Sequence, residues 1–218
     1  FILAQELLDA FPVHRIRQKD GELLEIFVSW DNMRGHFQEV TRPCTHEAVL
    51  AYLYRESIEL QEGQTAEINL HADAWIMKRI SQIETGCLLA IDYGDRAEEI
   101  YAPHRMDGTL MCYYRHRAHD DPFFLPGQQD LTTHVNFSAC IRAGEQAGAE
   151  KSILWSQKDF LLEHGVLNLL SSHSDPDPFS PIARKNRAIR QLLVGDRMGD
   201  LFKVLLHCKG IQALPDPK

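Results

Sequence analysis

The spacing of apolar and polar residues divides the chain into strand-length and helix-length segments. Phe1–Ala4 is a short apolar run and reads as a buried strand. Gln5–Pro12 reads as a turn or single helical turn that Pro12 stops. Val13–Gln18, Glu22–Trp30 and His36–Val40 predict an antiparallel meander, with Asp20-Gly21 at the first turn and Asp31–Gly35 at the second. Leu24, Ile26, Val28 and Trp30 recur with the period of a half-exposed sheet face. Thr45 then caps a helix running to about Leu60, and a second helix gathers Ala72, Trp75, Ile76, Ile80 and Ile83 on one side before Gly86.

Cys87–Ile91 is apolar throughout, the pattern of a strand covered on both faces in a parallel sheet, and it ends in Asp92-Tyr93-Gly94. Residues 95–135 show no period and are rich in His, Asp and Pro; a segment this long in a compact domain reads as a functional loop or lid. A helix over Phe137–Ala147, a strand over Ser152–Trp155 and a capping box at Ser156–Asp159 opening a helix to Gly165 follow. After a turn-rich stretch containing Asp175-Pro-Asp-Pro178 come an amphipathic helix, Ile182–Val194, and a last strand, Phe202–Cys208. Strands alternating with helices predict an α/β fold with a mostly parallel sheet and an antiparallel meander insertion. The chain opens on Phe1 inside a strand-like run, so the expectation is a portion of a longer polypeptide.

Composition changes this picture little: 44% apolar and 25% charged residues are those of an ordinary globular chain. No apolar run approaches the ~18–20 residues of a membrane span, so membrane insertion is not expected. The net charge of −8 is unevenly spread, with 10 Lys and Arg against 19 Asp and Glu in residues 1–109, and 13 against 12 in the remainder. That distribution argues against a nucleic-acid partner and suits a cationic substrate or an acidic solvated surface. The five cysteines form no C-x-x-C pair and read as reduced thiols of an intracellular protein, with Cys87 and Cys208 as plain core. Oligomeric state is not readable from the sequence.

In open parallel sheets ligands gather beyond the carboxyl ends of the strands. Glu6 and Asp9 follow the first strand and Asp92 follows the Cys87–Ile91 strand, so these acids are candidate site residues, with turn chemistry as the other reading. No G-x-G occurs, so no glycine loop for a dinucleotide or phosphate is present, and the cofactor-binding residues stay unknown. His104, His116, His119, Asp120, Asp121, Asp130 and His134 crowd one segment; they read as a hydrogen-bonded loop network or, at the limit, a metal site. No G-x-S-x-G nucleophile elbow is present, and Arg184, Lys185, Arg187 and Arg190 form a basic stripe that reads as a solvated helix face, with a partner-docking surface as the other reading.

Longer strings are more specific. Glu6-Leu-Leu-Asp-Ala-Phe-Pro-Val13 resembles the N-E-(L/F)-(L/F)-D-A-(L/F)-P signature of the MidA-like family of S-adenosylmethionine-dependent methyltransferases, whose mitochondrial members are assembly factors of respiratory complex I. Matching strings follow in order: Ile91-Asp-Tyr-Gly94; Gly108-Thr-Leu110 with Tyr113 and His116; Asp121-Pro122; Pro126-Gly127 leading to Asp130-Leu-Thr132; His134-Val135 with Phe137; Gln157 with Phe160-Leu161; and Phe202-Lys-Val-Leu205. Gln5 stands where the family has Asn, and Met111-Cys112 where an Arg commonly follows G-T-L.

The resemblance implies the C-terminal portion of a seven-stranded methyltransferase sheet, with Phe1–Ala4 as its fourth strand and the family's glycine loop N-terminal to this string. It assigns 1–12 and 65–210 to that α/β domain, 13–64 to an inserted meander plus helix, 95–135 to a long functional loop and 211–218 to a tail. S-adenosylmethionine is the implied cofactor. The implied partner is a protein substrate, with an arginine as acceptor and a respiratory-complex subunit among the candidates. The implied location is cytoplasmic in a bacterium and the mitochondrial matrix in a eukaryote.

Methyl transfer to a guanidinium needs alignment, desolvation and carboxylates that orient the cation. On the implied mapping Glu6 and Asp9 are the catalytic pair, and Gln5, Pro12, Asp92, Tyr93, His116 and His134 surround the acceptor. A non-catalytic interaction module, a metal-dependent hydrolase built on the His/Asp cluster, and a small-molecule methyltransferase are the rival readings.

Overall fold

The computed structural model describes residues 1–172, 177–194 and 201–211. The opening run is strand β1 (Ile2–Gln5). It is less buried than its apolarity predicts, because only Ala4 is covered and Leu3 is 57% exposed. The predicted meander follows as β2 (His14–Lys19), β3 (Glu22–Asp31) and β4 (His36–Pro43). Asp20 and Gly21 both take positive φ, 52° and 77°, the two-residue turn whose twist matches the flanking strands. At the second turn the Asp31 carboxylate accepts the Met33 and Arg34 N–H groups.

Helix α1 (Glu47–Arg55) is shorter at both ends than Thr45–Leu60. His46, not Thr45, holds the N-cap, and Ser57 leaves the helix at φ 54°. The neighbouring Glu56 carboxylate is drawn inward to Arg55 and Arg142. Strand β5 (Thr65–Ile68) pairs antiparallel with β2 and completes a sheet ordered β4-β3-β2-β5. All four of its residues are buried, so it carries no alternation for the sequence pattern to reveal. Helix α2 (Leu70–Ser81) is capped by Asn69, which accepts the Ala72 N–H at 2.9 Å, and buries Ala72, Ile76 and Ile80 as the periodicity predicts.

Strand β6 (Gly86–Asp95) is the centre of the main sheet and twice as long as the apolar run alone suggests. It does not stop at Asp92-Tyr93-Gly94. Helix α3 (Ala97–Ile100) leaves it, and the segment expected to be irregular holds a small antiparallel sheet of β7 (Met111–Tyr114), β8 (Arg117–His119) and β9 (Asp130–Thr132). The chain then returns as β10 (Val135–Asn136), α4 (Phe137–Gln146), β11 (Lys151–Ser156), α5 (Gln157–Glu163), α6 (Pro181–Val194) and β12 (Phe202–Lys209). Ser156 accepts the Asp159 N–H, as its capping box predicts. Asp175 and Pro176 of the turn-rich stretch, and the tail from residue 212 on, lie outside the described residues.

The main sheet runs β1-β6-β12-β11, with β10 beside the end of β6. β1, β6 and β11 share one direction and β12 runs against them, which makes a mixed α/β sheet. The extension of β6 follows from this order. Tyr93 and Asp92 pair with Phe202 and Lys203, and Gly94 with Val135. A Cβ at Gly94 would lie 2.1 Å from the Val135 carbonyl oxygen, so only glycine lets β10 approach. Leu8, Ile76, Ile80, Leu88, Phe137 and Leu205 fill the core between this sheet and helices α2 and α4. A second cluster around Ile16, Tyr52, Ile68 and Tyr101 joins the meander to α1 and α3.

Two features of the core correct or extend the sequence reading. Cys87 and Cys208 are register partners on β6 and β12 and form a disulfide across 121 residues, while Cys44, Cys112 and Cys140 are free. Strand pairing brings those two together, and their spacing in sequence carries no sign of it. His207 on β12 is fully buried, bonded through Nδ1 to Ser152 Oγ at 2.9 Å, and burial lowers its pKa to about 4. Gly144 of α4 leaves room for that ring, since a Cβ there would sit 2.3 Å from His207 Cε1.

Gly144→Ala should therefore destabilise the full-length protein by about 1–3 kcal/mol in urea unfolding, the usual cost of overpacking. Because His207 holds a lowered pKa in the fold, its contribution is complete above about pH 6.5 and declines as pH falls toward about 4. Unfolding curves across that window should show this loss, and a His207→Gln variant should lack it.

Candidate functional site

The site begins with a backbone that needs an anchor. After β1 the chain turns at Glu6, which takes φ 46° while its N–H still donates to the Ile91 carbonyl at 2.9 Å. Leu7, Leu8 and Asp9 then point their N–H groups at one acceptor, Asp92 on the adjacent parallel strand β6. Its Oδ2 accepts from Leu7 at 3.1 Å, Leu8 at 2.8 Å and Asp9 at 3.4 Å, and its Oδ1 accepts from Tyr93 at 2.9 Å. Leu8 plugs the core and the Asp9 carbonyl accepts the Thr133 N–H, so the loop is held from three sides.

This places Glu6 and Asp9 just past the carboxyl end of β1, alongside Ile91 and Asp92 of β6. They line a cavity of about 910 Å³ together with Tyr93, Tyr113, Arg115, His116 and Asp130. Tyr93 is held by its ring contact with Phe202, centroids 4.1 Å apart. Arg115 and His116 form the two-residue turn between β7 and β8, both at positive φ, 50° and 63°. Such a turn normally asks for Asn-Gly or Asp-Gly. The strained backbone here carries two polar side chains to the cavity edge.

The expected site residues thus divide. Glu6, Asp9, Tyr93 and His116 come together. Asp92 is buried beneath them with its carboxylate taken up by backbone amides, so it anchors the loop rather than facing a guest. Pro12 lines a neighbouring groove that shares Asp9, and Gln5 is the last residue of β1, opposite Ile91. His134 lies in a different cavity with Arg15, Arg17 and Arg105; its N–H donates to Thr109 Oγ1. The Thr109 N–H in turn donates to buried Glu67 at 2.7 Å. Tyr113, Arg115 and Asp130 reach the cavity through the small sheet of β7, β8 and β9, whose strands are too short to show a period.

The metal-dependent hydrolase reading finds no support in this geometry. Among the described residues no three His, Cys, Asp or Glu side chains gather as a ligand set. His119 packs on Phe124, His104 faces Glu99 and His134 sits apart from both.

The electrostatics suit a cation. Asp9 is 4% exposed, and its Oδ1 is buried with no hydrogen-bond partner. Burial, then the charge of Glu6, raises its pKa above the usual carboxylate value. Asp92 is pushed up to about 7, first by burial and then by Asp9, against the lowering effect of the amides it accepts. A positively charged group in the cavity would relieve the repulsion among these acids. A guanidinium and a sulfonium both meet that description.

Residues 1–154 match the sequence profile of a family described as S-adenosyl-L-methionine-dependent methyltransferases. The chain is 27% identical over 209 residues to the mitochondrial protein arginine methyltransferase NDUFAF7 of Rattus norvegicus, covering 93% of this chain and 44% of that protein. It is 28% identical over 215 residues to the protein of the same name from Danio rerio, covering 92% and 45%. Its backbone superposes with a TM-score of 0.89 on a Burkholderia thailandensis protein bound to S-adenosyl-homocysteine, at 37% identity over 99% of this chain and 55% of that one. The chain spans about half the length of these relatives. Among the described residues no helix is long and apolar enough to cross a membrane.

Asp92→Ala would strand buried N–H donors and should cost about 3 kcal/mol in unfolding free energy. Since Asp92 binds its proton more tightly when folded, the stability of the wild type relative to Asp92→Asn should be greatest below pH about 4. It should decline as pH rises through about 7, measured by urea titration at each pH.

Proposed function

The chain belongs to the S-adenosyl-L-methionine-dependent methyltransferase family, and from that premise we propose that it forms the acceptor side of a protein arginine methyltransferase. One observation carries the reading. Asp9, 4% exposed and with one carboxylate oxygen lacking a hydrogen-bond partner, lines the same cavity as Glu6, Tyr93 and His116, just past the carboxyl end of β1.

S-adenosyl-L-methionine, when bound, supplies an electrophilic methyl group on a cationic sulfur. The residues of this chain act on the acceptor. Glu6 and Asp9 accept N–H bonds from a guanidinium and fix its plane, so that one nitrogen is presented for attack. They also balance the positive charge that stays on the group as the new C–N bond forms and the methyl–sulfur bond breaks, its electron pair remaining on the sulfur, which leaves as a neutral thioether. The nitrogen then sheds a proton, and Asp9, whose raised pKa brings it nearer neutrality, is the acceptor for it. Tyr93 and Tyr113 wall the cavity, and His116 on the strained turn lines its edge.

The names of the relatives support a protein arginine as the acceptor. A respiratory-complex subunit is the partner we propose in a eukaryotic setting, with the mitochondrial matrix as the location there and the cytoplasm in a bacterium.

Asp9→Asn and Glu6→Gln in the full-length protein should each lower kcat for methyl transfer to arginyl protein by about 10²-fold or more. The wild-type rate should fall as pH drops through the raised Asp9 pKa, with the acid limb above the ordinary carboxylate range. Transfer of labelled methyl groups measures both. Unchanged activity in both variants would leave this loop a docking element only.

A further inference from the structure

A second depression opens against the same loop. It has a volume of about 430 Å³, and Asp9, Ala10 and Leu131 wall both it and the Glu6–Asp9 cavity. Its other walls are mainly apolar, and the apolar side chains come from separate parts of the chain. Phe11, Pro12 and Val13 continue from the catalytic loop, Ile26 and Val28 come from β3, and Phe123 comes from the segment between β8 and β9. Arg15 and Glu39, which also line it, form an ion pair with each other, and Thr133 adds a hydroxyl. The meander presents further apolar surface next to it: Val28 is 62% exposed and Trp30 49%. Phe37 packs edge-on to Trp30, and its ring lies 6.2 Å from that of Phe123, joining the hairpin to the loop.

An apolar hollow of this size, open at the surface and continuous with a cavity lined by carboxylates, fits one kind of occupant: a chain that carries a cation and, beside it, an apolar group. We propose that this groove receives the apolar side chain next to the methylated residue of an extended polypeptide acceptor. The proposal rests on the reading that Glu6 and Asp9 hold the acceptor cation. It assigns the meander insertion and the Phe123 segment to substrate choice. Val28 and Phe123 are the specificity-determining residues, and Pro12 lines the groove beside them.

The test uses short synthetic peptides with a central arginine flanked by Leu, Phe, Gly or Asp. Binding to the full-length protein with S-adenosyl-homocysteine present is read by fluorescence anisotropy, and methyl transfer by label. Leu- and Phe-flanked peptides should bind and react about tenfold better than Gly-flanked ones, the scale of one apolar side chain in a pocket. Asp-flanked peptides should be weaker still. Val28→Glu, at an exposed position, should erase the preference while leaving the affinity for S-adenosyl-homocysteine unchanged; Phe123→Ala should reduce it.

Binding and transfer that ignore the flanking residue, or a preference that survives Val28→Glu, would overturn the groove and leave the methyltransferase reading intact. A Leu and Phe preference in binding, without methyl transfer to any arginyl peptide, would overturn arginine as acceptor and leave the groove standing. Absence of binding by every peptide would overturn the groove as a polypeptide subsite.

Discussion

The site depends on a single carboxylate. Asp92, at 1% exposure, accepts backbone N–H groups from the Leu7–Asp9 turn and from its own strand neighbour, Tyr93. The parallel pairing of β1 with β6 brings the end of one strand beside the acid of the other. Without an acceptor there, a tight turn entering the core at Leu8 would bury unpaired amides, each costing on the order of 1–3 kcal/mol. With it, the turn is rigid, and Glu6 and Asp9 leave it at set positions. The consequence is electrostatic as well as geometric, because three acids lie close together and the two most buried hold their protons more tightly than a free carboxyl group. A preorganised excess of negative charge is what a cationic guest requires.

The same loop is tied outward to the rest of the molecule. The Asp9 carbonyl accepts from Thr133; His134, the next residue, donates to Thr109; and Thr109 donates to Glu67 on β5. Glu67 faces Arg15 on β2 at 3.5 Å, and Arg15 pairs with Glu39 on β4. This chain of polar contacts links the acceptor loop to the meander through elements that are far apart in sequence. It explains why an insertion away from the main sheet bears on the site, and why the groove beside Pro12 has walls from separate parts of the chain.

How much of this is legible in the sequence varies with the kind of signal. Helix α2, helix α4, the Asp20-Gly21 turn and the Ser156 cap follow from periodicity and local hydrogen bonding, and the structure has them where these predict. Glu6 and Asp9 stand out because acids follow a strand-like run, and the family string Glu6–Val13 strengthens them. β5 escapes notice because a strand buried on every residue has no period. The Arg115-His116 turn escapes because it uses no glycine, its strain being held by strands that pair only in the folded sheet. Asp92 reads as a site acid just past the end of its strand for a related reason: nothing local shows that Phe202 and Val135 extend that strand past it.

The sequence alone determined the alternation of helices and strands, the meander, the family and the placing of Glu6 and Asp9 directly after the first strand, because each is written in contiguous residues whose local physics suffices. Only the tertiary structure decided that Asp92 supports rather than contacts a guest, that His134 belongs to another cavity, that Cys87 meets Cys208, and that Pro12 and Val28 share a wall. Those outcomes depend on which strands become neighbours. Neighbour choice is set by burial summed over the whole chain, which no short stretch of sequence records.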